Sequence, residues 1–173
     1  MILRAASLFG LGALLFGSVS ASAEGAKTAA VLPAEMNDPG LAYGRKPVPA
    51  DQKRLILITD QLRQSLAEKA HIESVDLGPQ TGEIAKQAPF YKCSDCAAPI
   101  AKALGADLAV TTTVEKGAGQ IFNLTVTIVE ADGGKLVRNG LVVIRANTDD
   151  DWTHAMRWVV KNRLLAEPLP GRS

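Results

Sequence analysis

Histidine and cysteine are scarce: the 173-residue chain holds two of each, His71 and His154, Cys93 and Cys96. A structural zinc site takes about four ligands, and neither histidine stands at a spacing that joins it to the cysteines, so no metal is expected. Covalent haem attachment needs a histidine directly after the second cysteine, and that residue is Ala97. No charge excess exists either. Nineteen Lys and Arg stand against 18 Asp and Glu, which excludes a general electrostatic grip on nucleic acid or on an anionic membrane. "GAG" at 117–119 follows a strand-like run but lacks the lysine and the helix of a phosphate loop. Asp149, Asp150 and Asp151 have no calcium-binding loop around them; helix capping accounts for them. Ser, His and Asp form no nucleophile motif, His154 reads as a surface residue, and there is no repeat or low-complexity tract. The expectation is a chain with no catalytic residue, no cofactor and no metal.

Long apolar runs are lacking too, except at the start. Arg4 supplies a positive charge, Ala5 to Gly17 are apolar, and "SASA" ends with Ala21 and Ala23 spaced as at a signal cleavage site. The run is shorter than the roughly 20 residues that span a bilayer. Residues 1–23 therefore read as a cleaved secretory signal, with no membrane insertion afterwards and no cysteine at the new N-terminus to carry a lipid. A soluble periplasmic protein is expected, with a domain over 24–166 and a flexible tail over 167–173.

Within that domain, "KTAAVLP" (27–33) reads as a buried strand and 34–50, rich in Pro, Gly and Asn, as a long loop. From Asp51 to Lys69 a helical stripe joins Leu55, Ile58, Leu62 and Leu66. "HIESVDL" (71–77) stops at Gly78-Pro79 as a strand would, and a connector over 78–92, with a helical turn near Glu83 to Gln87, leads to the cysteines. Ser94 to Leu104 reads as a helix stopped by Gly105. Three strand-like runs follow, at 108–116, 120–131 and 135–146, separated by short glycine turns that indicate a meander of hairpins. In the middle run Phe122, Leu124, Val126 and Ile128 alternate with Asn123, Thr125 and Thr127, so one face is covered and the other is polar. "NTDDDWTHAMRWVVKNRLL" (147–165) closes the domain as a helix capped at Thr148 or Asp149. The order β-α-β-α-β-β-β-α predicts an α/β fold: one domain with a mixed sheet of about five strands and helices mainly on one face.

Four stretches, "AAVLPAEMND", "LITDQLRQSLAEKAHIESVDL", "CSDCAAPIAKALGADLAVTTTVEK" and "LTVTIVEADGGKLV", resemble successive pieces of the TolB N-terminal domain and of CsgG-related bacterial envelope proteins. The ending "NTDDDW…RWVVKNRLL" is similar to a group of exported bacterial proteins known as a domain of unknown function. The resemblance covers most of residues 29–165 and rests on fold-determining positions such as Gly105 and Asp107. It implies an envelope protein that works by contacting another envelope protein or complex, and it offers no catalytic residues. The propeller repeats of TolB and the lipidated cysteine of CsgG are missing.

Cys93 and Cys96 leave two readings. In an oxidising compartment two nearby thiols form a disulfide, which here would brace the entry to a helix. Alternatively, the helix start would favour a Cys93 thiolate as redox nucleophile with Cys96 resolving. A thioredoxin-like site also needs a proline from the downstream strands, and none lies between Pro99 and Pro168. On the last helix, Trp152, Ala155, Met156, Val159 and Val160 form the inward face, while Trp158 and Leu165 fall together beside Arg157 and Lys161. Trp158 either packs on the 34–50 loop or anchors a partner. In the second reading the docking surface is Trp158, Arg157, Lys161 and Leu165, flanked by Tyr43 and Arg45.

Overall fold

A strand lying inside a parallel sheet is apolar on both faces, and the first strand, β1 (Thr28–Val31), buries Ala29, Ala30 and Val31. The computed structural model describes residues 27–117, 119 and 121–169; the expected signal, residues 1–23, lies outside them. After β1 come β2 (Glu35–Asn37), a 3-10 turn (Pro39–Tyr43), α1 (Pro49–Ala70), β3 (Glu73–Ser74) and α2 (Thr81–Gln87). A second 3-10 turn (Phe90–Lys92) leads to α3 (Ala97–Ala103), and β4 (Leu108–Lys116), β5 (Phe122–Glu130) and β6 (Leu136–Ile144) follow. The chain closes with α4 (Asp149–Val159), which widens into a π turn over Val160–Leu164.

The strands form one mixed sheet in the order β3-β1-β4-β5-β6, and β2 pairs with β4 off this path. β1 is parallel to β3 and β4, and β2 is parallel to β4. β4, β5 and β6 form the antiparallel meander. The domain is thus the single α/β unit expected, with a sixth strand inside the stretch read as loop. "EMN" has no branched residue and no alternation, so no strand period announces β2.

The two long helices cover one face. Leu55, Ile58, Leu62 and Leu66 of α1 and Trp152, Ala155, Met156 and Val159 of α4 meet Phe122, Leu124, Val126 and Ile128 of β5 in the main core. Trp152 is fully buried, its ring centre 5.4 Å from that of Phe122. A smaller core lies on the opposite face, where Ala97, Ile100 and Ala101 of α3 pack on Ala30, Leu32 and Ala109 with Phe90 beside them. Gly105, at φ 70, is the left-handed residue that ends α3. The rest of this second face is open, with half-buried Asn123, Thr125 and Thr127 and exposed Leu141 and Val143.

At the end of the sheet the last helix comes close enough to β6 that a Cβ on Gly140 would lie 2.7 Å from a Val159 methyl and 2.8 Å from Arg163 Cβ. The backbone N–H of Leu165 donates to the Val160 carbonyl at 2.9 Å, the i to i+5 bond of the π turn. Beyond it, Leu169 is buried in the main core and the Arg138 guanidinium donates to the Pro168 carbonyl at 3.0 Å. Packing therefore continues past 167, where the sequence reading begins a flexible tail: a leucine among prolines carries no periodic signal.

Candidate functional site

Cys93 and Cys96 form a disulfide with their Cα atoms 5.7 Å apart. Cys96 is the N-cap residue of α3, and both cysteines are half-buried. The segment before them is fastened to the sheet by Glu35 on β2, whose carboxylate accepts the Phe90 N–H at 2.6 Å. Burial raises the Glu35 pKa above its ordinary value, against the lowering effect of the Phe90 and Tyr91 amides.

A second concentration of chemistry lies where the N-terminal ends of α1 and α4 meet the ends of β2 and β4. Asp51, only 4 % exposed, accepts from Arg54 at 3.1 Å, Asn147 at 2.9 Å and Lys116 at 3.4 Å. Lys116 also sits 3.7 Å from Asp38, which pairs with Arg45 at 3.3 Å and accepts the Gly40 N–H. Arg54 donates to Asn147 and to Asp149, and the Trp152 indole N–H donates to Asn147. Asp38 and Asp51 are each matched by two cations and a neutral donor, and the exposed Asp149 by Arg54 alone. That balance is what permits charge at such low exposure, and the cluster clamps four elements together. Asp149 belongs to this clamp, and of the two expected caps Thr148 is the N-cap, accepting the Asp151 N–H at 3.1 Å, with Asp149, Asp150 and Asp151 in the first turn of α4. Among the described residues no group of three or more His, Cys, Asp or Glu is arranged to hold a metal ion.

The third place is the groove between β6 and α4. Val142, Val143, Ile144, Arg145, Asp151, His154, Ala155 and Trp158 line a cavity of about 290 Å³ there. Trp158 is 37 % exposed at its lip, and the Arg163 guanidinium lies 5.4 Å from the ring centre. In a regular helix residues five apart point about 140° apart; the π turn between them reduces that angle. Arg157 and Lys161 are exposed beside Trp158.

The same π turn separates the residues that the sequence groups. Leu165 falls seven after Trp158, which would share a face in an uninterrupted α-helix, yet it is partly buried against the main core and lines a different cavity with Lys69, Ala70 and Leu169. Tyr43 is 90 % exposed on the loop that follows β2. Strands β4 and β5 stand between β2 and β6, so Tyr43 and Arg45 occupy a separate surface from Trp158. Trp158 itself lies against β6 and not against the 34–50 loop.

The sequence reading did not single out β6. The signal was present: "KLVRNGLVVIR" (135–145) holds three cations and no acid, with apolar residues on both faces, just before the last helix.

The fold and these sites define an α/β domain with a braced cysteine turn, a buried ionic clamp and an open groove between β6 and α4. The chain belongs to the DUF3280 family, described as "Protein of unknown function (DUF2380)", which it matches over residues 27–164. Comparison with curated proteins gives no match. Among solved structures, the LpoB C-terminal domain from Salmonella enterica is similar with a TM-score of 0.50 and 13 % identity, over 69 % of this chain and 83 % of that one. The lipoprotein GNA1162 from Neisseria meningitidis gives a TM-score of 0.46 and 16 % identity, over 70 % and 81 %. At such identities the likeness is one of fold. The likeness to TolB and CsgG stays a resemblance in sequence pattern.

Proposed function

We propose that this chain is a non-catalytic accessory protein of the bacterial envelope, exported to the periplasm as a soluble domain, that works by binding another envelope protein or complex. The observation that carries the reading is Trp158: a large aromatic, partly solvent-exposed, beside an arginine and at the lip of a groove lined by apolar residues together with Arg145, Asp151 and His154. Tryptophan and arginine are favoured at the centres of interfaces, and the core of this domain is complete without that side chain. Arg157 and Lys161 extend the contact along α4. Tyr43 with Arg45 offers a second, separate contact, and Leu165 supports the helix end from within.

Thiol–disulfide exchange through Cys93 and Cys96 is the rival. Affinity capture from envelope extracts separates the two, using the wild-type protein, Trp158→Ala and a Cys93→Ser/Cys96→Ser double variant. The binding reading expects Trp158→Ala to lose a partner that the double variant keeps, with no insulin-reducing activity in the wild type. Loss of the partner in a folded double variant, or insulin reduction by the wild type, would overturn it.

A further inference from the structure

The sheet has two ends, and they are built differently. At one end β3 is two residues long, short enough to offer little to another chain. At the other, β6 runs for nine residues and, among the described residues, pairs on one side only, with β5. It contains no proline, and Leu136, Leu141 and Val143 are 59 %, 51 % and 43 % exposed. A long, apolar edge strand presents a row of unpaired backbone donors and acceptors and is a template for strand addition.

The surroundings of that edge are mostly cationic, with Asp151 the one acid among the residues that line the groove. Residues 135–145 carry Lys135, Arg138 and Arg145 with no acid, and residues 157–163 on the adjoining helix carry Arg157, Lys161 and Arg163 with no acid. Only Arg138 among these six forms an ion pair among the described residues, with Glu167 at 3.7 Å. Two copies joined edge to edge would bring these cations face to face, which disfavours a homodimer. The parts of this chain outside the described residues hold a single acid, Glu24, so they do not supply the complement.

We infer that β6 is an acceptor edge for an extended, acidic segment of a partner protein, which adds to the sheet as a further strand beside Trp158. The inference rests on the binding reading above and gives it a mode. Main-chain hydrogen bonds to β6 hold the segment. Its apolar side chains on the helix side enter the groove lined by Ile144, Ala155 and Trp158. Its Asp or Glu residues meet Arg145, Arg157 and Lys161. Partner choice is then set by alternation and charge more than by a fixed sequence.

The probe is a synthetic peptide of the length of β6 alternating Val and Glu, titrated against the protein by calorimetry and by amide hydrogen exchange. The expected result is salt-sensitive binding that slows exchange in β6. Exchanging Glu for Lys should abolish it, and so should N-methylating every second amide in the register that faces β6, whereas the other register, whose amides face away, should be tolerated. Arg145→Glu with Arg157→Glu, both solvent-facing, should weaken it by about tenfold or more. Binding that survives N-methylation in both registers, equal binding of the Lys peptide, no binding of the Glu peptide, or a protein dimer that protects β6 without peptide would each overturn strand addition. If Trp158→Ala still loses its envelope partner in that event, the accessory-protein reading stands and only the mode falls. If the peptide fails and the partner is kept, both fall.

Discussion

Gly140 leaves the space that the Val159 side chain fills: a methyl group added to the glycine would fall 2.7 Å from a Val159 methyl. The position has no positive φ, so alanine there meets crowding and no backbone strain. Gly140→Ala should destabilise by about 1–3 kcal/mol, as overpacking does. Gly82→Ala in α2, where an added Cβ meets nothing within 4 Å, should stabilise by about 0.4–1 kcal/mol. Urea denaturation of both variants checks the opposite signs.

Trp152→Ala removes the largest fully buried side chain together with the hydrogen bond to Asn147. A loss of about 3–5 kcal/mol is expected. Trp158→Ala, on the same helix, should shift the melting temperature little. Calorimetric melts of the pair show whether the two tryptophans divide their work in this way.

Asp51→Ala leaves Lys116 and Arg54 in the clamp with less negative charge than they need. Removing one partner of a buried ionic group costs about 3–5 kcal/mol. Lys116→Met should cost less than Asp51→Ala, because Asp51 keeps Arg54 and Asn147. Equal losses in chemical denaturation would show that Lys116 is the cation on which the clamp depends.

Glu35 gives the stability a pH dependence whose sign follows from its raised pKa. In the window from the ordinary glutamate value up to the raised one, the folded chain holds this proton more often than the unfolded chain does. Stability from this residue therefore falls as pH rises through that window, and the deficit is fully present above it. A glutamine at this position can still accept the Phe90 N–H and has no charge to desolvate. The stability difference between the Glu35→Gln variant and wild type, measured by denaturation across pH, should grow in the variant's favour through the window and then level off. A difference that is flat with pH would show that burial of Glu35 is not felt as a charge.

Where the chain repeats a period, the sequence was readable. The stripe through Leu55, Ile58, Leu62 and Leu66, the alternation from Phe122 to Ile128 and the glycine turns place α1 and the meander, because each pattern maps directly onto a buried face. Short pieces without a period were not: β2 is held by pairing with β4, and Leu169 by the space it fills. The candidate docking surface was partly readable. Trp158 stands out because the inward stripe of α4 is already full, whereas Leu165 leaves that face only because of a π turn that no residue pattern marks. The open edge of β6 depends on strand order, a property of the whole sheet.

The burial of Leu169 bears on how the chain reaches this state. The main core has Ala29 near its beginning and Leu169 at its far end, and β1 pairs with the two-residue β3 on one side and with β4, late in the chain, on the other. Contacts so distant in sequence form slowly. Most of the main core, from Leu108 onward, comes from the later part of the chain, so the core is complete only when that part has been made.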